Sequence, residues 1–403
     1  MTTRPRRAPR PIAEFARYLR TETAGGVVLL IATAVALIWA NSDLGDVYTA
    51  VRDHKFGPSQ LHLDLTVGDW AKDGVLTLFF FVVGLELKRE LVLGELASIK
   101  DATLPILAAA GGMLAPAVIT LVMSWGEEGS GTAWAVPMAT DIAFALGVLA
   151  VTARHLPSGA RIFLLSLAVV DDLGAIVIIA VLFTSGIDLV AALIAAAGLT
   201  LYWWLQRRRI RSSWLYVPLA VVIWVAVHSM GVHATLAGVA MGMLTRVRTD
   251  PGEEEAPAAR LEHRLQPYSA MLAVPLFALF AAGVPVNGEA LSTVVSTPIP
   301  LAIAVGLVAG KLIGILGASG LAVATGLARL PARTGWLDIT ALALLGGVGF
   351  TVSLLIADLG LPDDVREPAK AAVLLGSLVA SLLAALMLSR RSRSHRKRAA
   401  EAG

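Results

Sequence analysis

Apolar runs dominate this chain, and they recur with a regularity that leaves few folds open. Twelve of them lie at 24–40, 74–92, 102–124, 132–151, 161–183, 187–205, 215–229, 233–245, 267–283, 298–324, 336–357 and 369–389. A helix crosses a bilayer with about 20 apolar residues, fewer where it is short or broken. Of all residues 56% are hydrophobic and 16% charged, against about a quarter charged in a soluble domain. The bulk is Ala, Leu, Val and Gly, small side chains that let membrane helices pack closely. There is no cysteine, which excludes disulfides, thiolate metal sites and thiol catalysis. The expected fold class is an all-α polytopic membrane protein with about 12 transmembrane helices.

Charge in the connecting segments sets the orientation. Of the 33 Lys and Arg, 27 lie in alternate polar segments counted from the N-terminus. The intervening segments carry five, Arg52, Lys55, Lys72, Arg366 and Lys370, and the last is Lys311. Basic residues concentrate in cytoplasmic loops, so both termini are expected in the cytoplasm and the number of crossings is even. Segments 1–23 and 390–403 read as basic cytoplasmic tails around a membrane domain at 24–389. The first apolar run imitates a signal peptide, but no small-residue cleavage site leads from it into a soluble domain. The net charge of +3 does not point to nucleic acid, because the basic residues sit beside membrane spans. The same count divides an ambiguous region: Arg207–Arg211 and Arg246–Arg248 both read as cytoplasmic, so 215–229 and 233–245 are two short helices joined at the outer face. The long outer loop, 41–73, contains LHLDLTVGDW. Its alternation fits a small extracytoplasmic β-hairpin, with a role in self-association, or an irregular loop; so short a run does not decide.

Orientation exposes a symmetry. Spans 3–5 (102–183) begin inside and spans 10–12 (298–389) begin outside, and each trio is irregular in its middle member. Pro137 interrupts AVPMATDIAFALG, and Gly346, Gly347 and Gly349 loosen LLGGVGFTVSLLI. Two inverted three-helix repeats with broken middle helices account for this. Unwound backbone at membrane depth is tolerated where it lines a cavity, and its free carbonyls and helix ends can hold ions. Pro and Gly are frequent in membrane helices generally, so one such site would carry little and two matched sites carry more.

Four ionisable residues sit near the middle of a span: Asp141 beside Thr140 and the first break, Asp171 and Asp172 in LSLAVVDDLGAIVIIAVLF, and Lys311. A carboxylate at mid-bilayer costs about 2.5 kcal/mol or more, and such groups face one another or water. Adjacent helical residues point about 100° apart, so one aspartate of the pair can face Lys311 while the other faces an ion. A structural ion pair with the lysine is compatible with that division. Hard carboxylate, hydroxyl and carbonyl oxygens suit a small hard cation, whereas a soft metal would find no Cys or clustered His. A site that holds either a proton or a cation, and crosses only when loaded, exchanges one for the other.

Six stretches in order carry a family resemblance: FFFVVGLELKREL (79–91), ATDIAFALG (139–147), VVDDLGAI (169–176), GVHATLAGV (231–239), VPLFALFAAGV (274–284) and GVGFTVSLLIA (347–357). Together they resemble the bacterial NhaA-type sodium/proton antiporters, over residues 12 to 389. Inverted repeats with broken helices are a known feature of this family, so the repeat reading is not independent of the resemblance.

The resemblance implies a secondary transporter rather than an enzyme, without cofactor. It would exchange Na⁺ or Li⁺ for H⁺ across the bacterial cell (inner) membrane, electrogenically and with more protons than Na⁺ per cycle. Activation at alkaline pH would serve Na⁺ and pH homeostasis. A core at 102–183 and 298–389 would work against an interface part at 24–92 and 187–283, with a homodimer formed through the 41–73 loop. Asp172 would be the principal Na⁺/Li⁺ ligand, with Asp171, Asp141 and Thr140 around it. Lys311 would pair with Asp171 and compensate charge where the broken helices cross. The pH response would lie in Glu86, Glu90, Glu262 and His263; the bland alternative for Glu86, Lys88, Arg89 and Glu90 is a solvated helix end. The sequence departs from the family at Gln266, where some members carry a second histidine, and at Leu93, Ala281 and Leu312, where an amide, an Asn and a Pro are common. Gln266 and Leu93 bear on the pH threshold, and none of the four departures touches the ion site.

Two other readings are weaker. GASG (317–320) matches the Gly-x-Ser-Gly of rhomboid proteases, but Gly310, Gly314 and Gly317 make close helix packing the simpler account. His228 and His233 lie near an outer turn, away from Ser319. A proton-coupled symporter of a small solute would need aromatic or polar cavity groups, and the mid-membrane polar groups here are carboxylates, a Thr and a Lys.

Overall fold

The computed structural model describes residues 11–401 apart from 62, 154 and 185. Residues 1–10 of the expected N-terminal tail, and the last two of the C-terminal one, lie outside the described residues. Each of the twelve apolar runs is helical over most of its length. Among the described residues six helices are long and apolar enough to cross a membrane, and up to eight spans result if each bent helix pair counts as one. The segments that fall short by themselves include Ser213–Ser229 and Thr235–Leu244, the two short helices inferred from loop charge.

Helices run into both basic end segments. Helix Pro11–Ala40 begins ahead of its apolar run, with a proline in the first turn, where its missing N–H costs nothing. Helix Asp363–Glu401 continues past Ser389 into the basic segment. That segment has neither Gly nor Pro before its end, and Arg391 and His395 fasten it to Asp338.

In the outer loop Lys55–Phe56 and Leu65–Thr66 pair antiparallel, Lys55 opposite Thr66 and Phe56 opposite Leu65. The hairpin is present but shorter than the alternation suggested. Thr66 caps a helical turn by accepting from the Asp69 N–H, so the chain leaves the strand there. Trp70 fastens the hairpin to the bundle: its ring stacks on Phe56 and Trp224, and its indole N–H donates to the Phe56 carbonyl at 3.0 Å.

A large apolar core surrounds the two irregular segments, drawing Leu104, Phe163, Ile303, Ile315, Leu345 and Leu354 together. A smaller one holds Tyr202, Ile223, Trp224 and Ala237. Within the large core, helices Ile99–Met123 and Lys311–Ala324 meet backbone to backbone, since a Cβ on Gly314 would lie 2.1 Å from the Gly111 carbonyl oxygen. That approach buries Lys311 completely.

Candidate functional site

Two helices come apart at the same place. Ahead of helix Ile142–Thr152 the chain makes a 3₁₀ turn, Val136–Met138, then runs extended through Ala139 to Asp141. Pro137 lacks the N–H that a continuous helix needs. Asp141 restarts the helix as its N-cap, accepting from the Phe144 N–H at 2.9 Å. Opposite it, helices Trp336–Gly346 and Phe350–Gly360 are bent by 41° across their junction. A Cβ on Gly347 would lie 2.4 Å from the Leu307 carbonyl oxygen, so this break seats only a glycine there.

The freed groups of each break pair with the other. The Asp141 N–H donates to the Val348 carbonyl at 2.6 Å, the Thr140 hydroxyl to the Gly346 carbonyl at 2.8 Å, and the Ser353 hydroxyl to the Val136 carbonyl at 2.7 Å. Thr351 donates to Asp141 Oδ2 twice, through its N–H (3.2 Å) and its hydroxyl (2.8 Å). An unpaired backbone group at membrane depth costs several kcal/mol, so neither break is tolerable without its partner.

Charge gathers on this crossing. Asp171 is 1% exposed, and Lys311 Nζ pairs with its Oδ2. The same oxygen accepts from the Thr140 hydroxyl at 2.5 Å, while Oδ1 has no hydrogen-bond partner among the described residues. Asp172 is 7% exposed. Among the described residues it makes no hydrogen bond and no ion pair. Asp171, Glu86 and Asp141 repel its carboxylate and Lys311 attracts it. One lysine therefore stands against three buried aspartates, and a buried carboxylate in that position takes a cation or a proton.

Thr140, Asp171 and Lys311 are in direct contact and Asp172 lies beside them, whereas Asp141 is held by Thr351 and by its own helix. Among the described residues no group of three or more His, Cys, Asp or Glu stands ready to hold a metal ion, so the aspartates are not a preformed cage. Ser319 is buried, and its hydroxyl has no hydrogen-bond partner among the described residues. It lacks the base a nucleophile needs.

The four residues expected to sense pH lie on two helices, and Glu90 and His263 both act on Glu262. Glu86, on helix Leu76–Val92, acts on both Glu90 and Asp172. Arg89, one turn further on, reaches Glu262 Oε1 at 2.5 Å and Glu90 at 4.0 Å. Glu262 lies on helix Pro257–Tyr268 and is almost wholly buried. Burial pushes its carboxyl above the ordinary glutamate range, against the pull of Arg89 and His263 and with a further push from Glu90. His263 pairs with Glu255 at the surface, Nδ1 to Oε1 2.6 Å.

Sequence reasoning missed two participants. Arg89 joins the Glu262 and Glu90 carboxylates. Thr351 holds Asp141 from the first turn of helix Phe350–Gly360, two residues past Gly349.

The family model described as Na⁺/H⁺ antiporter 1 matches residues 16–388. The chain is similar to the Na(+)/H(+) antiporter NhaA 1 of Saccharopolyspora erythraea, 62% identical over 383 residues that cover 95% of this chain and 93% of that protein. It is 57% identical to the Na(+)/H(+) antiporter NhaA of Nocardia farcinica, with 96% and 93% covered. Against the Na(+)/H(+) antiporter NhaA 2 of Rhodococcus jostii the identity is 56%, with 96% and 95% covered.

Proposed function

The chain belongs to the NhaA-type Na⁺/H⁺ antiporter family and exchanges Na⁺ for H⁺ as a multi-pass membrane protein; from that premise we propose that Asp172 is the carboxylate that takes up the ion. The observation that carries this is the contrast between neighbours. Asp171 is already matched by Lys311 and Thr140, and Asp172 is buried with neither hydrogen bond nor ion pair among the described residues. Thr140, Asp171, Asp141 and the carbonyls near the breaks supply further hard oxygens for Na⁺ or Li⁺. Protons compete for the same carboxylates, which titrate as a set, and the exchange is electrogenic with more H⁺ than Na⁺ per cycle. Family membership leaves the symporter reading without support.

In this reading twelve crossings put both termini in the cytoplasm of a bacterial inner membrane, as the alternation of Lys and Arg supports. Segments 102–183 and 298–389 form the moving core as inverted repeats, an arrangement known for this family. Segments 24–92 and 187–283 form the interface part, and the 55–66 hairpin meets a second copy of the chain.

The test is proton movement in everted membrane vesicles, with Na⁺, Li⁺ and K⁺ supplied in turn over a pH series. Na⁺ and Li⁺ are expected to dissipate an imposed proton gradient more strongly as pH rises, and K⁺ to leave it standing. A response to K⁺ equal to that to Na⁺ would remove the small hard-cation site.

The same series tests Glu262. Its folded carboxyl lies above the ordinary range, so the folded state binds a proton that the unfolded chain releases. The stability this gives is complete below the unfolded value and is lost as pH rises through the folded one. Charging Glu262 on the alkaline side tightens its pairing with Arg89 at the cost of a charge held in a buried place, so the tie between helix Pro257–Tyr268 and helix Leu76–Val92 changes with pH in the direction in which transport switches on. Glu262→Gln cannot charge and is expected to move activation to higher pH. A profile superimposed on that of the unaltered protein would place the response elsewhere.

A further inference from the structure

The apolar part of the C-terminal helix Asp363–Glu401 ends near Ser389, but the helix runs on. Arg391 Nε and His395 Nε2, one turn apart, reach the buried carboxylate of Asp338 at 2.7 and 3.0 Å and pin the extension in place. On the other side of the helix, Leu378, Leu382 and Leu386 are each more than half exposed. Ser389, Arg393 and Arg396 continue their line. At 100° per residue the six fall within an arc of about 80°, with Arg391 and His395 opposite. An exposed leucine stripe thus turns basic where the apolar run ends.

At that level the stripe opens into a cleft of about 340 Å³ against the end of helix Ile142–Thr152. Thr152, His155, Ser389, Ser392, Arg393 and Arg396 line it, with exposed Val151 at its apolar lip. The walls are tied together: the His155 N–H donates to Ser392 Oγ at 3.3 Å, and His155 Nδ1 lies 3.5 Å from the same oxygen. No acidic residue lines the cleft. Among the described residues neither Arg393 nor Arg396 is paired with a carboxylate, unlike Arg391 on the same helix. Two guanidinium groups, an imidazole and the Ser389 and Ser392 hydroxyls line one space, while Thr152 gives its hydroxyl proton to the Val148 carbonyl at 2.7 Å; the remaining donors match phosphoryl oxygens.

We propose that this cleft binds the phosphate of an anionic phospholipid in the leaflet on the side of the C-terminus, with its acyl chains along Leu378, Leu382 and Leu386. A free phosphate would use the donors but not the stripe. The continuity of the two selects the lipid, at the depth where basic pockets between helices meet anionic headgroups. The site lies apart from the ion crossing and does not depend on how that crossing works.

The test uses the full chain in detergent, with phosphatidylglycerol and phosphatidylcholine offered separately and retained lipid counted by native mass spectrometry. Phosphatidylglycerol is expected to be retained in preference. The Arg393→Ala/Arg396→Ala double variant is expected to lose that retention about tenfold or more. Arg390→Ala/Lys397→Ala removes the same charge from outside the cleft and is expected to keep it. Equal losses in the two variants would mean diffuse attraction to basic charge, and no loss in either would mean no site; each overturns the proposal. Inorganic phosphate without lipid is expected to leave the melting temperature unchanged. A rise that the Arg393→Ala/Arg396→Ala variant abolishes would assign the cleft to a soluble anion and overturn the lipid.

Discussion

Asp172→Asn is expected to abolish Na⁺- and Li⁺-driven proton movement in everted vesicles while the protein melts at or above its original temperature. The two halves come from the same geometry. Asparagine keeps the shape of the side chain but has no charge to offer a cation and no proton to exchange. A hydrogen bond to a charged group is worth about 1.5–3 kcal/mol, so cation affinity alone falls about 10- to 100-fold. The missing titratable group then breaks the coupling that remains. Stability moves the other way because Asp172 is buried with no hydrogen bond or ion pair among the described residues, and Asp171, Glu86 and Asp141 repel it. Removing an uncompensated buried carboxylate relieves the fold. Flux is read from the collapse of a proton gradient on adding Na⁺ or Li⁺, and stability from a melting curve in detergent. Retained exchange would sink the assignment of Asp172 as the ion's carboxylate, and a lower melting temperature would show that the side chain has a structural partner after all.

What the sequence made legible here is what is expensive at membrane depth. Asp141, Asp171, Asp172 and Lys311 stood out because an ionisable group in an apolar run needs a reason, and Pro137 and Gly347 because they interrupt helices. The crossing of the two breaks explains both sets at once. What satisfied the breaks was not legible: Thr351 and Ser353 are ordinary residues of a membrane helix, and their roles come from facing Asp141 and the Val136 carbonyl. The same holds for Arg89. On its own helix it reads as one charge among four at a solvated end, and only the fold brings buried Glu262 against it from 173 positions away. Loop alternation at 61–70 overstated a strand because period-two patterning does not register a capping threonine. The basic C-terminal tail concealed a helix, since its residues are adequate helix formers and its anchor, Asp338, lies in another span.

Lys311→Ala is expected to lower the melting temperature by roughly 5 °C or more, and its partner explains why. Asp171 is 1% exposed and its Oδ1 has no hydrogen-bond partner among the described residues, so Lys311 is its principal compensation and Thr140 its other contact. Stripping one member from a buried pair leaves an uncompensated charge, at a cost of about 3–5 kcal/mol, and in a large domain each kcal/mol shifts melting by about 2 °C. A neutral pair of similar volume avoids that cost. Lys311→Met combined with Asp171→Asn is therefore expected to recover most of the melting temperature lost by Lys311→Ala, even though two charges are gone. Residues in direct contact are where such non-additivity appears, and the cycle of Lys311→Met, Asp171→Asn and their double variant measures it. An additive double variant, melting lower than either single one, would mean that the lysine stabilises through packing against Gly112 and its neighbours rather than through the aspartate. The cycle also separates the two aspartates. Asp171 in this arrangement is a structural charge matched within the protein, so its loss is rescued by losing Lys311. No substitution of the lysine is expected to restore exchange to Asp172→Asn, because in the proposed function that carboxylate takes up the ion.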